Sequence, residues 1–237
     1  MIEITGKRYE QIHVLDGDPP LVSPEPADPV SWSDQAVKQN LSVIAAEYGL
    51  VTAQENVKLQ KSGHYPTLEL TASHFDTSAN ASRFGSATGT EDDVYALKFT
   101  LPIFQGGYVN SRTREAAHLV TESADQLEKA RREVILQSHV SYNDVASNIA
   151  RVKALNQALV STQSALDATS LGFEVGTRTA VDFLDSQREV YRAKRELSLA
   201  RYAYISATVR LKLAAGTLSP ADLGEINSWL SASAPTE

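Results

Sequence analysis

The stretch "GFEVGTRTAVDFLDSQREV", residues 172–190, concentrates two carboxylates and one guanidinium: Asp182, Asp185 and Arg178. A spacing of three on a helix puts both aspartates on one face. Such a pair can bind cations or serve a hydrolytic dyad. The dyad reading lacks any accompanying base, donor or pocket signal in the chain. The plain alternative is that all three are solvated in the first turns of a helix, where the dipole favours anions. Other candidates are thinner. His13, His64, His74, His118 and His139 form no i,i+4 pair and no metal-ligand cluster. Glu91, Asp92 and Asp93 make an acidic run of the kind that is usually solvated in a polar loop. No phosphate loop, nucleophile elbow or triad wording is present, so the sequence assigns no catalytic residue, no metal and no cofactor, and it reads as a non-enzyme.

Composition narrows the classes further. A net charge of -7 argues against nucleic acid, which needs a basic face to neutralise phosphates. With no cysteine there is neither a disulfide framework nor thiolate chemistry. No apolar run approaches the ~20 residues of a transmembrane helix.

The elements that must position Arg178, Asp182 and Asp185 follow from periodicity. "VLDGDPPLVSPEPADPV" holds five prolines and predicts an extended connection, after "IEITGKRY" as a short strand. A helix capped by Ser31 or Ser33 is expected to carry Val37, Leu41, Ile44, Tyr48 and Val51 on one face. It should run to about Ser62 and stop at Gly63 and Pro66. The period then falls to two. "TLELTASHF" and "VYALKFTLPIF" predict two strands of about ten residues, with Tyr95, Leu97, Phe99 and Leu101 on one face and Lys98 and Thr100 opposite. Two strands alone make no stable sheet in water. They are either the edge hairpin of an α+β domain or a hairpin of a membrane β-barrel, whose strands also run 9–11 residues.

From Tyr108 to Leu171 there is neither proline nor glycine, which predicts a helix of about 96 Å. Val120, Leu127 and Val134 recur every seven residues, as do Val145, Val152, Leu159 and Leu166. Past the glycine turn, Val190, Leu197, Tyr204 and Leu211 repeat the interval, interleaved with Ala193, Ala200, Ala207 and Ala214. These are coiled-coil seams.

The order of elements, with "GHYPTLELTAS", "LPIFQGGYVNS", "VGTRTAVDFLDSQREVYRAKRELSLARYAYI" and "LKLAAGTLS", resembles the second structural repeat of TolC-type outer membrane channel proteins. The resemblance runs from about Ile2 to Leu230. It implies a mainly α fold with a transmembrane β-hairpin: long antiparallel helices of a tunnel wall plus two strands of an outer membrane barrel. Residues 1–30 would be a short strand and proline-rich inter-repeat linker. Residues 31–64 and 108–215 would be periplasmic helices, and 216–237 a C-terminal tail. Residues 65–107 would be the membrane hairpin, with an extracellular loop at about 76–93.

The implied function is an exit duct for drug efflux or type I secretion, without a cofactor of its own. Its implied partners are further copies of itself (a trimer of two-repeat chains), a periplasmic adaptor, an inner-membrane pump and outer membrane lipid. By the same resemblance Asp182 and Asp185 form cation-selecting rings at the periplasmic tip, while Arg178 takes part in links that hold the tips shut. Phe173 stands where the family often carries tyrosine, so one gate hydrogen bond is expected to be missing. Tyr95, Leu97, Phe99 and Leu101 are expected to face lipid. The family's leader and first repeat have no counterpart here, so Met1 is expected to be a start within a longer gene. The competing reading is a soluble coiled-coil adaptor or scaffold.

Overall fold

Where the first helix begins is decided by Asp28 and Pro29. The computed structural model describes residues 6, 13–15, 17–79 and 88–231, so the strand expected in "IEITGKRY" lies outside the described residues apart from Gly6. A short strand β1, Val14–Leu15, precedes the proline-rich strap. Helix α1, Pro29–Gln39, is capped by the Asp28 carboxylate, which accepts from the backbone N–H of Val30 and Ser31. This corrects the expected caps, Ser31 and Ser33. Proline at the first helical position loses an N–H that would have no partner anyway, and its fixed φ suits the helix.

The single helix expected to Ser62 is two helices. The chain breaks at Asn40, which is extended (φ -69, ψ 127), and α2 resumes over Leu41–Lys61. Asn40 caps the start of α2 and ties the break to Ala214. Its Oδ1 accepts from the N–H of Ser42 at 2.9 Å, and its Nδ2 donates to the Ala214 carbonyl at 2.9 Å. The break re-aims the buried face: Ala36 and Val43 are wholly buried, whereas Leu41 and Tyr48 of the expected stripe are exposed.

The chain packs as two units, residues 1–45 with 128–237, and residues 46–127. In the first, helix α3 (Tyr108–Glu174) contributes its stretch from Glu128 onward and packs against α4 (Ala180–Ala214). Val145, Ile149 and Val152 meet Leu197, Ala200, Tyr204, Ala207 and Leu211, with Trp32 at one end of the cluster. The seven-residue series is the buried seam: Val145, Val152, Val190, Leu197, Tyr204 and Leu211 are all buried. Alanine at alternate seam positions keeps the knobs small where the helices approach. Ser138 is wholly buried in this unit, yet its Oγ has no hydrogen-bond partner among the described residues. Removing an unsatisfied buried hydroxyl relieves its desolvation cost, so Ser138→Ala is expected to raise stability by about 1 kcal/mol. Thermal unfolding followed by circular dichroism checks this; a loss of similar size would mean that the hydroxyl has a partner.

The proline-rich strap is tied to α4 by tyrosines. Leu15 N–H donates to the Tyr202 hydroxyl at 3.1 Å, and Val22 N–H to that of Tyr204 at 2.9 Å. The Tyr204 O–H faces the carbonyls of Pro20 and Val22 in turn, and Asp18 pairs with Arg201. Gly216 closes α4 at φ +73, and a Cβ there would lie 2.5 Å from the Gln39 carbonyl oxygen. Both the left-handed backbone and the close approach demand glycine.

The expected C-terminal tail contains structure. Helix α5, Pro220–Ser228, starts from a capping box between Ser219 and Asp222, and β4, Leu230–Ser231, pairs antiparallel with β1. The sequence carries the signal, since Ser219, Pro220 and Asp222 occupy the cap, first and third positions. The Lys212 ammonium donates to Asp222, and that bond first, then those from Ser219, hold its carboxyl down to about 2. A lowered carboxyl stabilises the fold above its ordinary value near 3.8 and loses that contribution as pH falls through about 2. We expect amide exchange in α5 to accelerate between those values, and the same acceleration to be absent in Asp222→Asn.

In the second unit, β2 (Thr67–Ala79) and β3 (Thr88–Thr100) pair antiparallel from Thr67↔Thr100 to Ala79↔Thr88. Each strand has 13 residues rather than about ten. They absorb Asp76–Ala79 and Thr88–Asp93 from the expected loop, because backbone pairing continues past the apolar segment. What remains, 80–87, lies outside the described residues. At the other end β3 stops at Thr100, so Leu101 and Ile103 fall beyond the strand that was expected to hold them. Pro102 has no N–H to extend the ladder. Among the described residues no helix is long and apolar enough to cross a membrane.

Candidate gate at the helix tip and the membrane hairpin

Between α3 and α4 the chain reverses through Val175–Thr179, and Gly172 organises the turn. Its carbonyl accepts from Thr177 N–H at 2.7 Å, Arg178 N–H at 3.0 Å and the Thr177 hydroxyl at 3.0 Å. A Cβ at Gly172 would lie 2.7 Å from Arg178 Cγ, so the arginine stem occupies the space the glycine leaves. Gly176 takes φ +77 and donates its N–H to the Phe173 carbonyl.

Helix α4 opens with a capping box. Thr179 Oγ1 accepts from Asp182 N–H at 3.2 Å, and Asp182 Oδ2 accepts from Thr179 N–H at 3.0 Å and its hydroxyl at 2.9 Å. The backbone bond from Thr179 first, its hydroxyl second and the charge of Arg178 hold the Asp182 carboxyl below the usual carboxylate range. Its charge therefore persists to lower pH than that of an ordinary aspartate. Asp185 sits one turn on, and its carboxylate pairs with Arg188 at 3.1 Å on an exposed surface. The two aspartates share the spacing expected of one face but lean to opposite partners, one back to the cap and one forward.

The Arg178 guanidinium makes no hydrogen bond or ion pair among the described residues. Phe173 stacks on Phe183, with centroids 5.9 Å apart and planes at 20°. Phe183 escaped the sequence reading. Its signal is the fourth helical position after a capping box, where apolar residues pack back on the chain entering the helix. Deeper in the hairpin, the Ser186 hydroxyl bridges to Thr169 at 3.3 Å.

The strand register defines the second surface. Leu68↔Phe99, Leu70↔Leu97 and Ala72↔Tyr95 stack three apolar rows on one face. Leu70 and Tyr95 are each 76% exposed, so nothing among the described residues covers that face. Leu101 lies past the strand end. Farther along the same face His74 bonds Asp93 at 2.8 Å, while on the opposite face Glu69 stands across from Lys98.

A hairpin apolar on one face, followed by long antiparallel helices, is the architecture of a repeat from an outer membrane channel wall. The chain belongs to the outer membrane efflux protein family, whose model matches residues 32–217. It is 38% identical over 239 residues to the outer membrane protein TolC of Escherichia coli, covering 97% of this chain and 48% of that protein. It is 30% identical to the alkaline protease secretion protein AprF of Pseudomonas aeruginosa, covering 84% and 41%. The Campylobacter jejuni CmeC outer membrane channel superposes with a TM-score of 0.63 at 18% identity, covering 82% of this chain and 42% of that one. The open Neisseria gonorrhoeae MtrE channel gives 0.62 at 22%, covering 79% and 43%. These two likenesses bear on the fold alone. The chain spans about half the length of the curated relatives it matches, in keeping with one repeat. Those relatives are channel proteins rather than enzymes, and the family locates the chain in the cell outer membrane with a periplasmic extension.

Proposed function

We propose that this chain supplies one repeat of an oligomeric exit duct that conducts substrates passively in drug efflux or type I secretion. Residues 65–107 would line the outer membrane barrel, and 31–64 with 108–215 the periplasmic tunnel. The observation that carries the reading is the hairpin's uncovered apolar face. Every backbone group in hydrocarbon needs an internal partner, so a lone two-stranded ribbon is not viable there. The barrel is closed by further copies or by a complementary repeat, as a trimer of two-repeat units would do. Tyr95, Leu97 and Phe99 meet lipid, and Leu101 marks its periplasmic edge. At the helix tip Asp182 and Asp185 line the constriction, and rings of carboxylates select cations. Arg178, whose guanidinium has no hydrogen bond or ion pair among the described residues, reaches across to a neighbouring tip and keeps the gate shut. The Phe173–Phe183 stack stiffens the tip in place of a hydroxyl link. A periplasmic adaptor and an inner-membrane pump open the tips and provide the energy.

The test expresses the chain with a complementary first repeat and reads carbonate-resistant membrane association and single-channel conductance in a bilayer. Conductance only when both repeats are present supports the reading. Release by carbonate makes the chain a soluble scaffold, and steady conductance from the chain alone makes it a single-repeat channel.

A further inference from the structure

Within the first unit the strap, α4 and α5 border a partly open cavity of about 260 Å³. Its walls are apolar and fixed. Trp32 is buried and its Nε1–H donates to the Pro26 carbonyl at 2.8 Å. Tyr204 is held by its hydroxyl on the strap, and Trp229 and Ile226 close the side formed by α5. Four ionisable side chains line the space: Glu25, Lys212, Asp222 and Glu225. The one cation among them, Lys212, is committed to Asp222. Glu25 and Glu225 are exposed at the rim, and their carboxylates have no hydrogen-bond or ion-pair partner among the described residues.

The chemistry of the cavity is therefore one-sided. Aromatic walls attract cations through their ring faces. Two uncompensated carboxylates add attraction for positive charge, and a pre-formed apolar wall spares the cost of ordering it on binding. An anion would be repelled by these carboxylates, and a neutral hydrocarbon would make no use of them. We propose that this cavity is a binding site for small aromatic or quaternary ammonium monocations, distinct from the tip carboxylates.

The chain has two tryptophans, Trp32 and Trp229, and both line the cavity, so its tryptophan emission reports on this site alone. The full chain in a nonionic detergent is titrated with benzyltrimethylammonium, with its neutral isostere neopentylbenzene and with benzenesulfonate. The expected result is a saturable emission change with the ammonium, about tenfold weaker binding of the neutral isostere and no saturation with the sulfonate. Glu25→Gln with Glu225→Gln is expected to weaken ammonium binding about tenfold with an unchanged circular dichroism spectrum. Partition into micelles is common to both chains and cancels. Equal affinity for the neutral isostere reduces the site to an apolar hole and overturns the proposal. So does an unchanged ammonium affinity in the double variant, or a lack of saturation in the original chain.

Discussion

Arginine at Leu97 is expected to lower the stability of the membrane-inserted assembly by about 2–4 kcal/mol, while arginine at the adjacent Ala96 is tolerated. The two positions lie at one depth along β3 and differ only in face. Leu97 is opposite Leu70, the middle of three apolar rows, whereas Ala96 is opposite Thr71 on the face that also carries Glu69 and Lys98. An arginine among lipid tails loses its hydration, but one facing a water-filled lumen keeps it. The measurement is the fraction of heat-resistant oligomer recovered from washed outer membranes, backed by denaturant titration of refolding into bilayers. Similar losses at both positions would remove the assigned orientation, and a larger loss at Ala96 would reverse it.

The second large effect concerns the gate, where the two aspartates should not behave alike. Among the described residues Asp185 is bound only to Arg188, in an exposed pair three residues away, an interaction typically worth about 0.2–1 kcal/mol. In the proposed gate a trivalent cation would have only that weak pair to displace. Asp182 already spends Oδ2 on two bonds from Thr179. Asp185→Ala is therefore expected to raise the blocking concentration of a trivalent cation applied from the periplasmic side on the order of tenfold. Asp182→Ala should shift block less but raise the open fraction, because it removes the carboxylate half of the capping box that orders the first turn of α4. Asp182→Asn separates the two roles, since an amide oxygen still accepts from Thr179 without the charge. Arg178→Ala should also raise the open fraction. Single-channel recording in the two-repeat context reads all four. Identical block in the two aspartate-to-alanine variants would make them equivalent members of one ring. Unchanged block in both would return them to the status of solvated helix residues.

Much of this architecture was legible because it depends on local pattern. The seven-residue series from Val145 and from Val190 marked the seam that is buried, and the switch to period two marked the hairpin. The break at Asn40 was hidden because it rests on a carbonyl at Ala214, far away in sequence, while the apolar spacing continues through it. Strand ends were misplaced since backbone pairing does not require apolar side chains; Asp76 and Glu91 pair as well as Leu70 and Leu97. Helix α5 was missed despite an available signal: a capping serine followed by proline and aspartate. At the tip the residues were found, but not the lean of Asp182. The "TAVD" spelling of its capping box predicts that lean once Thr179 is taken as the cap.

The pairing of Val14–Leu15 with Leu230–Ser231 has a consequence for how such walls are multiplied. The segment that enters this fold and the segment that leaves it are hydrogen-bonded neighbours, although nearly the whole sequence separates them. A unit whose entrance and exit adjoin can be copied head to tail in a gene with a short connector, without threading or refolding either copy. Tandem duplication then doubles the wall contributed by each polypeptide and lets the two copies diverge in sequence. Divergence lets one tip carry donors that its counterpart accepts, which identical copies arranged in a ring can achieve only by self-complementarity.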